Sequence, residues 1–247
     1  MTDVLILCAA AFLAGALNAV AGGGSFLTLP ALVFTGVPPV VANATGTLAL
    51  LPGYLSGAWA YRDAIRASAG MRMSQLIGLA LIGGIAGAVL LLFTSSDGFA
   101  RLVPWLLLAA TLLFMVGPAV SRRLAQRAPV PSAGRAGLFA ISVYGGYFNG
   151  GLGILLMAFF GLVGERNLQV SIGLKNLVST LLTAVAVVVY IVGGLIDWSS
   201  VWVMALSATA GGYAGARLAQ RLPVAFVRGF VVLVGLGMTV VFFLRLR

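Results

Sequence analysis

Long apolar runs separated by short polar breaks make up most of this sequence. Six runs reach the roughly 20 residues that an α-helix needs to cross a bilayer. They are 38–61, 74–93, 102–120, 168–192, 198–216 and 224–244. Two more apolar regions, 4–35 and 136–164, are too long for one simple span, and glycines interrupt both of them. This pattern predicts an all-α polytopic membrane protein.

Composition supports the same class. The chain is 61% hydrophobic and 8% charged, whereas soluble domains carry about 25% charged residues. The net charge of +10 comes from arginines that cluster in the breaks between apolar runs, as in cytoplasmic loops, so no nucleic-acid partner is expected. Asp3 is the one early charge, so the first apolar run is interpreted as a retained membrane segment and not a signal peptide.

The two halves of the chain resemble each other. GALNAVAGGGSFL aligns with GGYFNGGLGILL, which places Asn18 on Asn149 and Gly22 on Gly153. Further on, ATGTL aligns with GLKNL and GGIAGA with GGYAGA, and the three offsets are 131, 129 and 128 residues. Matches in the same order at nearly constant spacing indicate duplication. We therefore predict a first membrane repeat at 1–120, a basic cytoplasmic linker at 121–135 and a second repeat at 136–247.

The glycine-broken regions allow two topologies. In the first region the arms 4–18 and 26–35 measure about 22 Å and 15 Å as helices, short of a hydrocarbon core of about 30 Å. If both regions are re-entrant hairpins, each half makes three crossings and the halves are inverted. Eleven arginines then lie on one face of the membrane and three on the other. If both regions cross fully, there are eight crossings and the division is nine to five. The positive-inside rule favours the hairpins, with the linker in the cytoplasm.

Irregular backbone at membrane depth is tolerated where it is buried in protein or lines a watery cavity. A helix that begins there directs its first N–H groups, and a partial positive charge, at whatever occupies the cavity. Two such breaks, one in each half, predict a small-anion site near the membrane midplane. The alternative is close helix packing through glycines, and for GGIAG and GGYAG that alternative is preferred.

The candidate site combines the two breaks with the polar residues of the adjacent spans. Hydrogen bonding between helices is the alternative role for the asparagines and threonines of those spans, and Asn18 and Asn149 could also cap the breaks. The candidate substrate-binding residues are Asn18, Gly22, Gly23, Gly24, Ser25, Asn43, Thr45, Thr47, Asn149, Gly150, Gly151, Gly153, Lys175 and Asn176.

Lys175 is the one lysine and lies inside the predicted span 168–192. A cation there costs about 3 kcal/mol on insertion scales, which makes a functional role the default interpretation. It would serve as a counter-charge for an anion or as a partner for the carbonyl end of a half-helix. The alternative is that its side chain extends to the lipid headgroups. The equivalent position in the first half is Gly46.

Catalysis is not expected. The five acidic residues fall at loops or ends, and the sequence has no histidine, so a buried proton relay is hard to build. Paired carboxylates within a span, a metal-ligand cluster and a Ser-His-Asp set are also missing from the sequence. Neither a metal nor another cofactor is predicted.

The run G-x-x-N-x-x-x-GGG-S-F-L-x-x-P, with A-x-G-T-L, a second glycine-rich break and GLKNL, resembles the sulfite exporter TauE/SafE family. The resemblance extends over nearly the whole chain. It implies a multi-pass protein of the bacterial inner membrane that moves sulfite, sulfonates or related organosulfur anions. The family is usually described with seven or eight membrane segments.

The prediction is therefore a secondary transporter, outward in direction, for a small sulfur-containing oxyanion. An anion that leaves the electrically negative interior gains about 2.3 kcal/mol per charge per 100 mV, so export needs no proton coupling. An anion channel or facilitator of the same fold is the alternative. The expected partners are the anion and membrane lipid, and a homodimer through the small-residue faces is also considered.

Overall fold

The computed structural model describes residues 2–21, 23–67, 71–125, 134–218 and 224–245. The described residues form ten α-helices and one short 3-10 helix, Arg62–Ala64, with no strand among them. The helices are α1 Thr2–Ala21, α2 Ser25–Phe34, α3 Pro39–Ala60, α4 Met73–Leu92, α5 Ser96–Ala125, α6 Gly134–Tyr147, α7 Leu152–Leu162, α8 Leu168–Val192, α9 Trp198–Leu218 and α10 Val224–Arg245.

Each of the six predicted spans coincides with one helix, namely α3, α4, α5, α8, α9 and α10. Within the described part of the chain, Met73–Leu92, Ser96–Gly117 and Leu168–Val192 are long and apolar enough to cross a membrane. The all-α fold of a multi-pass membrane protein is therefore confirmed. Most of the linker, 126–133, lies outside the described residues.

The first glycine-rich region folds back on itself. A Cβ atom on Gly24 would lie 2.8 Å from the carbonyl oxygen of Ala14. Ala14 lies seven residues, or about 10 Å, before the end of α1. The chain therefore reverses after Ala21 and α2 begins beside the middle of α1. At 20 residues α1 is about 30 Å long, so the shorter arm predicted to end at Asn18 is wrong.

The second glycine-rich region is an antiparallel hairpin. Cβ atoms on Gly134, Gly137 and Gly145 would lie 3.8 Å, 3.1 Å and 2.9 Å from side chains of Val163, Phe159 and Leu152 respectively. Positions therefore pair in opposite order along α6 and α7. The turn needs glycine at 151, where φ is +73°. Both broken regions return toward the side from which they start.

Small residues hold each hairpin against a helix from the other half. A Cβ on Gly211 of α9 would overlap the Phe12 carbonyl of α1. Similarly, a Cβ on Gly87 of α4 would overlap the Val143 carbonyl of α6. These contacts give GGIAG and GGYAG the packing role that the sequence favoured. The glycines pack on helices of the same chain and not on a second copy.

Helix contacts follow the same order in both halves. The α1–α9 contact has its counterpart in α6–α4, α2–α3 in α7–α8, and α5–α7 in α10–α2. At the centre α3 packs on α8. A Cβ on Gly57 would lie 2.8 Å from Nδ2 of Asn176, while the N–H of Asp197, just beyond α8, donates to Oγ1 of Thr45 at 2.9 Å. The late part of one helix therefore meets the early part of the other, and α3 and α8 run antiparallel. We call this contact the central crossing.

Candidate substrate-binding site

The equivalent asparagines of the two halves meet at one tyrosine of the central crossing. The Tyr54 hydroxyl donates to Oδ1 of Asn149 at 3.0 Å, and Nδ2 of Asn149 donates to Oγ1 of Thr183 at 3.3 Å. The Asn18 side chain interacts with the same Tyr54 hydroxyl, and its Nδ2 would lie 3.6 Å from a Cβ on Gly53. Asn18 is 8% exposed and Asn149 is 1% exposed. Polar groups from both hairpins thus converge in the interior.

Three buried side-chain atoms in the described part of the chain have no hydrogen-bond partner: Oδ1 of Asn18, Oγ of Ser179 and Oγ1 of Thr180. Because Gly57 packs on Asn176, one helical turn along each antiparallel helix places Gly53 opposite Thr180. Thr180 therefore lies near the Gly53–Tyr54 segment of α3, and Ser179 precedes it by one residue. Buried polar atoms are nearly always paired, so these three atoms are exceptions.

Two helices supply the polar lining at helical spacing. On α8, Asn176, Ser179, Thr180 and Thr183 are all buried and recur every three to four residues, which places them on the face toward α3. On α3, Nδ2 of Asn43 donates to the carbonyl of Tyr147 at 2.9 Å, and Oγ1 of Thr47 donates to the carbonyl of Asn43 at 2.7 Å. Asn43 therefore ties α3 to the end of α6.

The glycines of the two breaks leave both following helices without side-chain caps. Gly24 precedes α2 and Gly151 precedes α7, and neither N-cap provides a side-chain hydrogen bond. Backbone carbonyls take the place of a side-chain cap: the Leu27 N–H donates to Gly24 at 3.0 Å and the Ile154 N–H to Gly151 at 3.0 Å. Gly24 packs on Leu50 of α3, whereas Gly151 packs on Ala110 of α5. The two N-termini thus abut different helices, and the asparagines are the groups that converge.

Several other predicted residues lie in the same breaks. Gly23, Ser25 and Gly153 are buried at the starts of α2 and α7. The Gly150 carbonyl accepts a hydrogen bond from Tyr144 at 2.6 Å, and the Gly146 carbonyl accepts one from Tyr190. These tyrosines hold the second hairpin tip in place. Gly22 lies outside the described residues.

Thr45 lies away from the centre, near the end of α3 that meets the α8–α9 loop. It accepts the Asp197 N–H, a bond that joins the start of α3 to that loop. Partial burial raises the pKa of the Asp197 carboxyl, but hydrogen bonds from Ser199 and Ser200 outweigh it and hold that pKa below its ordinary value. Thr45 therefore takes part in a loop contact, and its role in substrate binding stays a prediction.

Lys175 lies toward the start of α8, next to Asn176. It is half-buried and precedes Thr183 by eight residues, or about 12 Å along α8. Within the described ranges no carboxylate lies within ion-pair distance of Lys175.

Sequence reasoning missed Tyr54, Ser179, Thr180 and Thr183. The repeat holds a signal for two of them, because the offset of 129 that relates ATGTL to GLKNL also relates Tyr54 to Thr183. The signal was weak because tyrosine counts as apolar and isolated hydroxyls are common in membrane helices.

The side chains at the centre are buried, with Asn18 8% and Asn149 1% exposed. Large side chains such as Phe148 and Tyr190 are fully buried around it. A cleft of about 250 Å³ opens elsewhere, beside α4 and α6, and is lined by Gln75, Gly78, Leu79, Ile82 and Arg135.

A multi-pass helical chain with two glycine-broken hairpins around a buried polar cluster has the architecture of a membrane transporter. The family model for the sulfite exporter TauE/SafE matches residues 7–242, and the chain belongs to that family. The resemblance seen in the sequence motifs is confirmed.

Curated relatives carry transporter names. The chain is 28% identical over 239 residues to "Probable membrane transporter protein YfcA" of Escherichia coli (strain K12), covering 95% of this chain and 87% of the relative. It is 27% identical over 237 residues to a "Probable membrane transporter protein" of Haemophilus influenzae, covering 95% and 92%. "Probable membrane transporter protein ORF9" of Sinorhizobium sp. is 27% identical over 239 residues, covering 95% and 90%.

The Tyr54–Asn149 hydrogen bond predicts non-additive stability. Tyr54→Phe leaves Oδ1 of Asn149 without its donor, so we expect a loss of about 1–3 kcal/mol in unfolding free energy. In an Asn149→Leu background the same Tyr54→Phe change should cost less, since the bond is already absent. Thermal or denaturant unfolding in detergent measures this cycle, and additive losses would contradict the hydrogen bond.

Proposed function

We propose that the protein is a secondary transporter that exports a small sulfur-containing oxyanion of the sulfite or organosulfonate class. The observation that carries this proposal is the buried polar cluster at the central crossing, where Asn18 and Asn149 meet Tyr54 and the hydroxyls of Ser179 and Thr180 have no partner. Membership of the sulfite exporter TauE/SafE family and the transporter names of the relatives support it.

The cluster suits a small oxyanion chemically. Asparagine NH2 groups and the hydroxyls of Tyr54, Ser179, Thr180 and Thr183 are hydrogen-bond donors. A sulfite or sulfonate group presents three acceptor oxygens on one face, which several converging donors can satisfy together. Bonds to a charged acceptor are worth about 1.5–3 kcal/mol each. Neutral donors therefore offset part of the anion's lost hydration without holding it irreversibly.

The antiparallel central crossing supports two inverted halves. The helices α3 and α8 are equivalent in the two repeats but run in opposite directions. The two repeats therefore have opposite orientations across the membrane. Six crossings and two re-entrant hairpins then fit the helices better than eight crossings. One apolar core joins α6 and α7 to the early parts of α4 and α8, apart from the core that holds α1 and α2. The polar cluster lies at the crossing between them, and rocking about this level would open one side at a time.

The arginines orient the protein. Met71 packs on Gly134, and Tyr61 on Gly173, so the start of α4 and α6, the end of α3 and the start of α8 lie on one face. That face carries Arg62, Arg66, Arg72, Arg135 and Arg166 in the loops and helix ends. By the positive-inside rule it is the cytoplasmic face of a bacterial inner membrane.

Export follows from the field across that membrane. One negative charge that leaves the cell gains about 2.3 kcal/mol per 100 mV. The acidic residues lie at helix ends and loops and the sequence has no histidine, so the chain offers no buried proton relay. The buried position of the cluster favours a transporter that changes conformation over the alternative, an open channel or facilitator.

Cysteine labelling tests the six-crossing topology. In a Cys8→Ser background, Asp63→Cys and Arg166→Cys should react with a membrane-impermeant maleimide only when the reagent can reach the cytoplasmic face of the membrane. Ser96→Cys should react on intact spheroplasts. All three positions are exposed. The eight-crossing model places residues 63 and 166 on opposite faces, so opposite labelling of that pair would contradict the hairpins.

Binding and counter-flow test the function, with Thr180→Val as the key variant. Sulfite, sulfate, thiosulfate and methanesulfonate are screened by thermal shift, and the strongest binder is used for counter-flow in proteoliposomes. The Thr180 hydroxyl has no partner, so its removal should leave the unliganded protein as stable as before. Its loss should weaken anion binding about tenfold, equivalent to about 1.4 kcal/mol.

The matched control is Thr209→Val, which removes an exposed hydroxyl on α9 that bonds to the Ala205 carbonyl. It should leave binding unchanged. Stabilisation by none of the four anions, together with no counter-flow, would overturn the proposed function. Equal binding by the Thr180 and Thr209 variants would move the site away from the central crossing.

A further inference from the structure

Lys175 lies between the basic face and the polar cluster. It follows the start of α8 by seven residues and precedes Thr183 by eight, so it is about 11 Å from one and 12 Å from the other along the helix. It is half-buried, and it is the one charged residue within α3 and α8. An anion that travels along α8 from the basic face to the centre would pass this charge.

The opposite half has no such charge. The repeat equivalent of Lys175 is Gly46, and a Cβ on Gly46 would lie 2.8 Å from Oγ1 of Thr28 in α2. The returning arm of the first hairpin thus packs directly on this position in the first half. The two routes to the centre are therefore electrostatically unequal although the helix arrangement is alike.

No acid in the described parts of the neighbouring elements neutralises this charge. Glu165, in the loop before α8, accepts a hydrogen bond from the Asn167 N–H. Asp63, in the 3-10 helix that packs on α8, lies 3.8 Å from Arg62. The Lys175 ammonium is left to act on a passing anion.

We infer that Lys175 is a one-sided entry charge, which draws the anion in from the basic face and passes it to the neutral donors of the central crossing. This inference rests on the proposed function. In this arrangement a full charge attracts the anion at the entrance, and neutral hydrogen-bond donors bind it at the centre. Because the donors are neutral, the anion can leave outward. A charge in a cleft with low-dielectric walls raises the local concentration of its counter-ion by tenfold or more.

Sided transport tests the inference. Uptake of the strongest binder among sulfite, sulfate, thiosulfate and methanesulfonate is measured into inverted vesicles, which expose the basic face, and into right-side-out vesicles. Lys175→Gln should raise the apparent KM at the basic face about tenfold. It should change the KM at the other face less than twofold and leave the thermal shift at saturating anion intact. Lys175→Arg should restore the KM at the basic face.

Arg123→Gln is the control, because it removes one exposed charge in the last turn of α5. It should leave both KM values unchanged. An equal change at both faces, a change confined to the other face, or no change at either face with Lys175→Gln would overturn the inference. Failure of the unsubstituted protein to transport any of the four anions would instead overturn the proposed function.

Discussion

The hydrogen bonds around Tyr54 constrain the whole arrangement, because they join the middle of α3 to the tip of one hairpin and bring the α1 asparagine alongside. Polar side chains at membrane depth must find partners within the protein. Asn149 satisfies this requirement only if α7 starts where it does, beside both α3 and α8. The remaining unpartnered atoms on Asn18, Ser179 and Thr180 show that the chain's own groups do not satisfy the cluster completely.

The close glycine contacts explain how such a centre keeps its shape. Each hairpin packs on a helix of the opposite half, α1 on α9 and α6 on α4, through positions that have no room for a Cβ. The halves are therefore interlocked and cannot separate as two independent bundles. Each hairpin and its glycine-packed partner helix therefore form one closely packed group.

Sequence alone predicted the helices well because a membrane span is defined by length and hydropathy, and both are readable from the chain. It also located the two breaks, since consecutive glycines in apolar surroundings have few other uses. Asn18 was harder to place: the helix runs three residues beyond it, so it is a side chain on α1 and not a cap for the break. Tyr54 and Thr180 escaped detection because their importance depends on which face of α3 meets α8. Lys175 and Thr45 stood out as polar residues in spans, but only the packing shows that they lie toward opposite ends.

The central claim is that a small oxyanion binds among neutral donors at the crossing of α3 and α8. A cryo-electron microscopy map of the protein in lipid nanodiscs, with saturating amounts of the best-binding anion, tests it most directly. The account predicts added density between the side chains of Asn18 and Asn149, within hydrogen-bond distance of the Tyr54 hydroxyl. Density that appears instead only at the basic face, or at Lys175, with the central side chains unchanged from the anion-free map, would contradict the account.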